Sequence, residues 1–145
     1  MGFYSSIEVS ASGLSAERLA MDVIANNIAN VNTTRTPEGG PFKRQLLVLS
    51  QKPAEASGTA PDGTPGPAQT GVQAEGIVSD TGPDKMVYDP THPDADATGY
   101  VHMPNIEVVK EMVDMMSASR AYEANVTAIQ EARSMGASTL GLLKA

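Results

Sequence analysis

Apolar or small residues recur near the start of the chain at Ile7, Ala11, Leu14, Met21, Ala25 and Ile28, in steps of four and three interrupted at Arg18. That spacing marks one face of an α-helix. Leu19, Ala20, Val23, Ile24 and Val31 widen it to a second face. A helix apolar on two faces is buried or has several neighbours. The pattern predicts a helix from about Ser5 to Asn32, roughly 42 Å long at 1.5 Å per residue.

A longer pattern follows Pro104. Val108, Met112, Met115, Ser119, Tyr122, Val126, Ile129, Arg133, Gly136, Leu140 and Leu143 alternate steps of four and three, with Ser119, Arg133 and Gly136 as weak members. Val109, Val113, Met116 and Ala132 lie beside this line. The repeat is of coiled-coil type. Pro104 blocks extension backwards, Asn105 is a suitable N-cap, and Glu107 and Glu111 suit the positive end of the dipole. At roughly 1.5 Å per residue this helix would span about 58 Å.

The middle is different in kind. Residues 51–104 hold eight of the ten prolines and seven of the thirteen glycines. The stretch KPAEASGTAPDGTPGPAQTG has almost no large apolar residue and reads as a flexible loop over 53–71. Strand candidates flank it: FKRQLLVLS before, VQAEGIVSD and KMVYD after. The expected fold is mainly α: long terminal helices packed as a coiled-coil-like hairpin, with a small β-rich or irregular middle. The expected organisation is an N-terminal helix within 1–34, a middle region over 35–104 and a C-terminal helix within 105–145.

Composition narrows this further. Aromatic residues are only 4% of the chain, so Ala, Val, Met, Ile and Leu must supply the buried area, which suits helices packed on one another. The absence of Cys removes disulfides, thiol nucleophiles and thiolate metal sites. The longest strictly aliphatic run, LLVL at 46–49, falls far short of the roughly 18 residues of a membrane span. The N-terminus has neither the basic nor the apolar region of a Sec-type signal peptide. The net charge of −7 argues against nucleic acid as a partner. That charge is concentrated between 51 and 104, which carries a net −6. The near-neutral ends can approach copies of themselves without strong repulsion.

Candidate chemistry is sparse. Asp89, His92, Asp94 and Asp96 crowd into DPTHPDAD, but calcium-loop spacing is missing and two prolines stiffen the segment. An ordered turn built on Asp side chains fits better. Nucleophile-elbow, phosphate-loop, dinucleotide and zinc-protease motifs are all missing, so no catalytic residue, cofactor, metal or small-molecule substrate is assigned. Two sequons, at Asn32 and Asn125, are discounted because no secretion signal accompanies them and the second sits in a helical pattern. Asn26, Asn27, Asn30 and Asn32 crowd the end of the first helix. They are either solvated polarity with an Asn32 cap, or amides that fix register against a packed neighbour.

The segment SGLSAERLAMDVIANNIANVNTTRTPEGGPFKRQ resembles the N-terminal signature of bacterial flagellar rod and hook proteins. Its long TRTPEGGPFKRQ continuation is similar to the proximal rod members, as are VYDPTHPDADATGYV and the helix opening PNIEVVKEMVDMMSASRAYEAN. The resemblance covers about 1–52 and 84–143; the 53–71 insert departs from it. It implies a structural subunit of the flagellar basal body, exported through the flagellar type III apparatus without a cleaved signal. The subunit would stack helically with copies of itself and other rod proteins as a periplasm-spanning drive shaft around the export channel. On this reading the subunit interface comprises Leu14, Met21, Asn26, Asn27, Asn30, Asn32, Val109, Met112, Val113, Met115, Met116, Tyr122, Val126, Ile129 and Leu140. TRTPEGGP would turn the chain outward, with Gly39 and Gly40 free to take positive φ and Pro41 preventing a return to helix. The competing reading is a non-flagellar coiled-coil adaptor that binds one partner.

Overall fold

The computed structural model describes residues 3–52 and 71–142. Helix α1 spans Phe3–Ala29 and helix α2 spans Val108–Leu142. Four strands lie between them: β1 (Gln45–Gln51), β2 (Val72–Ser79), β3 (Lys85–Tyr88) and β4 (Tyr100–Met103). β1 pairs with β2, and β3 pairs antiparallel with β4, in two separate two-stranded sheets.

Helix α1 ends earlier than the periodicity predicts. Asn30 N–H still reaches the carbonyls of Asn26 and Asn27 at 3.1 and 3.2 Å, but Val31 N–H turns back to Ile28 and Thr33 N–H to Asn30. These shorter loops tighten the helix end. Helix α2 begins later than Asn105. Glu107 carbonyl accepts the bond from Glu111 N–H at 3.0 Å, so Glu107 occupies the cap position. Pro104 and Ile106 are buried just before it, which holds residues 104–107 off the helix.

The expected mainly-α hairpin does not describe this molecule. The fold is mixed, two helices with two small sheets, and the terminal helices do not join along the coiled-coil line that the repeat suggests. The buried positions of α2 are Glu111, Ala118 and Ala132, with Met115, Tyr122, Asn125, Ile129 and Gly136 half-buried in step with them. This line shares Met115, Tyr122, Ile129 and Gly136 with the expected one, but buries Glu111, Ala118 and Ala132, while Met112 and Arg133 of the expected line are exposed and its Ser119 and Val126 are half-buried like Asn125. In α1 the buried positions are Ala16, Val23 and Asn27. A coiled-coil seam needs large apolar knobs. These faces instead present small and polar groups, which bury little apolar area but allow close backbone approach.

β4 has no counterpart among the strand candidates. It is four residues long and follows the turn-rich 89–99 segment, so it offers little periodicity. Its register is set by pairing: Val87 faces Val101, and Tyr88 faces Tyr100. Val101 is buried, while the two tyrosine rings meet edge to face at 5.2 Å on the other side. The 53–71 loop reading falls, over 53–70, outside the described residues.

The chain divides into two compact units. The first comprises Met1–Leu19, Leu49–Glu75 and Ala118–Ala145. Within it, a Cβ built on Gly13 would lie 3.0 Å from Asn125 Nδ2, so the Asn125 side chain packs closely over this glycine. Ser12 Oγ donates to Val9 carbonyl at 2.7 Å and accepts from Val72 N–H at 3.1 Å, tying the start of β2 to α1. The second unit comprises Ala20–Val48 and Gly76–Ser117 and carries the polar cluster described next.

Candidate functional site

Asn27 and Glu111 are each only 1% exposed, and they touch. Asn27 Nδ2 donates to Glu111 Oε2 at 3.1 Å and to Gln45 carbonyl at 2.9 Å. Gln45 N–H donates back to Asn27 Oδ1 at 2.8 Å. The Asn27 side chain thus pairs with both backbone groups of Gln45, as a neighbouring strand would. The other Glu111 oxygen accepts from Arg44 Nε at 2.6 Å, and Arg44 Nη2 lies 3.7 Å from Asp114. Arg44 carbonyl accepts from Asp80 N–H at 2.7 Å. A buried charge is tolerated only when it is paired and hydrogen-bonded, and Glu111 meets both conditions. The cluster clamps the end of α1, the start of β1 and the first turns of α2 together.

The neighbouring asparagines act locally. Asn26 Nδ2 donates to Gln45 Oε1 at 2.8 Å, and Asn30 Nδ2 donates to the Asn26 carbonyl and Oδ1, both at 2.9 Å. Asn32 is exposed, and no described non-glycine residue has positive φ, so it makes no left-handed cap. The corner beyond it behaves as expected. Gly39 and Gly40 take φ of 91° and 78°, between a bond from Gly39 N–H to Thr36 carbonyl and one from Thr36 N–H to Gly40 carbonyl. Phe42 N–H then bonds Thr33 carbonyl at 3.0 Å, closing the excursion and returning the chain as β1.

The acidic loop uses its carboxylates on its own backbone. Asp89 accepts from Thr91 N–H at 3.0 Å and Thr91 Oγ1 at 2.6 Å. Asp96 accepts from Thr98 N–H and Oγ1, both at 2.7 Å, and from Tyr100 N–H at 3.0 Å. Thr91 and Thr98 hydroxyls, first among the causes, hold the Asp89 and Asp96 carboxyls below their usual range. Asp94 accepts from Thr34 Oγ1 at 2.8 Å, which pins the loop to the corner after α1. Among the described residues no group of His, Asp and Glu is arranged to hold a metal ion. Lys43 pairs with Asp84, whose second oxygen lies 3.9 Å from His102 Nδ1.

The residues expected at an interface separate into three groups. Asn27 is buried inside its own unit. Leu14, Met21, Asn30, Met115, Tyr122, Val126 and Ile129 are half-buried. Asn26, Asn32, Val109, Met112, Val113 and Met116 are exposed, and the Leu140 side chain lies outside the described set. Val109, Met112, Val113 and Met116 are 69%, 54%, 53% and 53% exposed. Their spacing of three, four and seven places all four on one face of α2, although the sequence pattern divides them between two stripes. Arg44 and Gln45, which complete the clamp, are not recognisable as such in the sequence. Their partners lie 67 and 18 residues away, and no local period links them.

Two family models match segments that include Asn27 and Glu111. Residues 7–35 match "Flagella basal body rod protein" and residues 97–142 match "Flagellar basal body rod FlgEFG protein C-terminal". The chain is 48% identical to the flagellar basal-body rod protein FlgC of Borreliella burgdorferi, with 99% of each chain covered. It is 42% identical to FlgC of Bacillus subtilis over 93% of this chain and 94% of that one, and 37% identical to FlgC of Salmonella typhimurium over 98% of each. The chain belongs to the FlgC family. It is a structural rod subunit of the flagellar basal body. Asn27 falls within the first matched segment of this FlgC-family chain and Glu111 within the second, while Arg44 lies between them.

Proposed function

We propose that this FlgC-family chain stacks helically with copies of itself and with other rod proteins, through the apolar face of α2 and the half-buried faces of both helices. The interface carries Val109, Met112, Val113, Met116, Met115, Tyr122, Val126 and Ile129 from α2, Leu140 at its far end, and Leu14, Met21, Asn26, Asn30 and Asn32 from the α1 region. The role is mechanical rather than catalytic: a shaft that transmits torque and surrounds an export channel. The chain reaches the periplasm-spanning rod through the flagellar type III apparatus, without a cleaved signal.

The observation that carries this reading is the row Val109, Met112, Val113 and Met116, more than half exposed on one helix face. Four large apolar side chains aligned in water are unfavourable by roughly 0.8–1.5 kcal/mol apiece if half their area stays exposed. A heterologous contact, in which one patch meets a different patch on the next copy, covers such a row and propagates into a filament. Met side chains suit contacts with neighbours that are not identical.

The test introduces Met112→Asp and Val113→Asp separately, then scores swimming and secreted subunit. An unpaired charge buried at an interface costs several kcal/mol. Each variant should abolish rod formation while export persists. Normal swimming with either one removes this face from the interface.

A further inference from the structure

Helix α2 offers two ways to bury itself, and the molecule uses the less apolar one. One line through the helix runs Met112, Met115, Ser119, Tyr122, Val126 and Ile129; the other runs Glu111, Met115, Ala118, Tyr122, Asn125 and Ile129. With 3.6 residues per turn, the two lines differ by a helix rotation of about 50°. The first line is richer in large apolar groups, yet at its start Met112 is exposed while Glu111 and Ala118 are buried; further along, Ser119, Asn125 and Val126 are all half-buried. Apolar burial alone favours the opposite outcome.

We infer that the Arg44–Glu111–Asn27 cluster sets the rotational phase of α2, holding the charged side inward so that the Val109, Met112, Val113 and Met116 face stays outward for a neighbouring subunit. Glu111 can hold this position because Arg44 Nε and Asn27 Nδ2 occupy its two oxygens at 2.6 and 3.1 Å. Turning the helix by about 50° would break both bonds and draw the Met112 side inward. The buried pair thereby selects one arrangement over a close competitor, as single buried polar residues select register in helix assemblies. This inference rests on the proposed docking role only for the use made of the outward face; the phase itself is a property of the single chain.

The absence of native Cys gives a clean measurement. Met112→Cys and Ala118→Cys are made singly in the full-length chain, and the rate of reaction with a maleimide is measured in dilute solution. In the parent background, the Met112→Cys thiol should react at least about tenfold faster than the Ala118→Cys thiol, following the exposure of the native positions. The same two probes are then placed on Arg44→Leu/Glu111→Ala, which removes the buried Glu111 charge together with its partner and leaves Asp114, 46% exposed, to solvent. There the order should reverse, with the probe at position 112 slowed and the probe at position 118 accelerated, and helical circular dichroism retained. Glu111→Gln has one acceptor oxygen where Glu111 uses two, so it can keep only one of the two bonds and should narrow the difference between the probes.

Equal rates in the parent chain overturn the inference, because no fixed phase then exists. An unchanged order in the double variant overturns it, because packing alone then sets the phase. Loss of helix with both probes fast also overturns it, because the pair then maintains the fold instead of choosing between phases. Swimming scored in the same strains separates the two readings. A double variant with reversed probes that still swims refutes the docking face and leaves the phase assignment intact.

Discussion

At the residue scale, Asn27 does the work of a strand edge with a side chain. Its amide satisfies both backbone groups of Gln45 and one oxygen of Glu111. Asn27→Leu conserves approximate volume but strands these partners. The expected loss is about 2–4 kcal/mol, since a buried group left unpaired costs about 1–3 kcal/mol. Urea denaturation of the variant against the parent checks it, and a loss below about 0.5 kcal/mol would mean that the site rearranges to rehydrate. A second expectation concerns Asp96. Its folded pKa lies below the ordinary value of 3.8, so its contribution is complete above that value and disappears as pH falls through the lower, folded pKa. Carboxyl NMR titration should place the Asp96 midpoint below 3.8, and Thr98→Ala, which removes the largest cause, should raise it. A midpoint unmoved by Thr98→Ala contradicts the hydrogen-bond assignment.

At the scale of elements, the β3–β4 pair depends on the turn that feeds it. Gly99 has φ of 83°, and a Cβ there would meet Tyr88 Cε2 at 2.9 Å. Gly99→Ala therefore meets two penalties: left-handed backbone strain of about 1–2 kcal/mol, and displacement of the ring that packs against Tyr100. Gly39 and Gly40 share the positive φ but have open space around the missing Cβ. Alanine at either should cost the strain alone, about 1–2 kcal/mol. Thermal denaturation of the three variants should rank Gly99→Ala as the most destabilised. Equal losses at Gly39 and Gly99 would show that the tyrosine ring yields freely.

At the scale of the whole molecule, small and polar residues at the buried positions of the helices leave a modest core. Ala16, Val23, Val101, Ile106, Ala118 and Ala132 are buried among the described residues of the two units, as are Pro41 and Pro104. Most of these residues are small, whereas large groups such as Met112 and Met135 are 54% and 63% exposed. Helical stability comes mostly from packing, so it should grow when a neighbour covers the exposed face. The melting temperature and helical ellipticity of the purified chain should rise with protein concentration. A melt unchanged over a hundredfold range of concentration would show that the isolated subunit already has all its stability.

Local sequence was enough for the two terminal helices, three of the four strands, the glycine corner and the turn character of DPTHPDAD. These depend on periods and φ preferences that act within a few residues. Its motifs also carried the rod-protein resemblance, through NNIANVNT and the EMVDMMSASRAYEAN helix. Which side of α2 turns inward was settled only by long-range contacts. Burying Met112 and burying Glu111 are both compatible with a four-three repeat, and Arg44, supplied from a position 67 residues away, stabilises the second. The same holds for β4, whose four residues become a strand only because β3 lies beside them. It holds for Asn27 as well: an asparagine in a helix is equally at home in solvent until Gln45 and Glu111 arrive to bond it. Local propensity is set by neighbours in sequence. Phase, pairing and the satisfaction of buried polar groups are set by partners brought together only when the chain closes on itself.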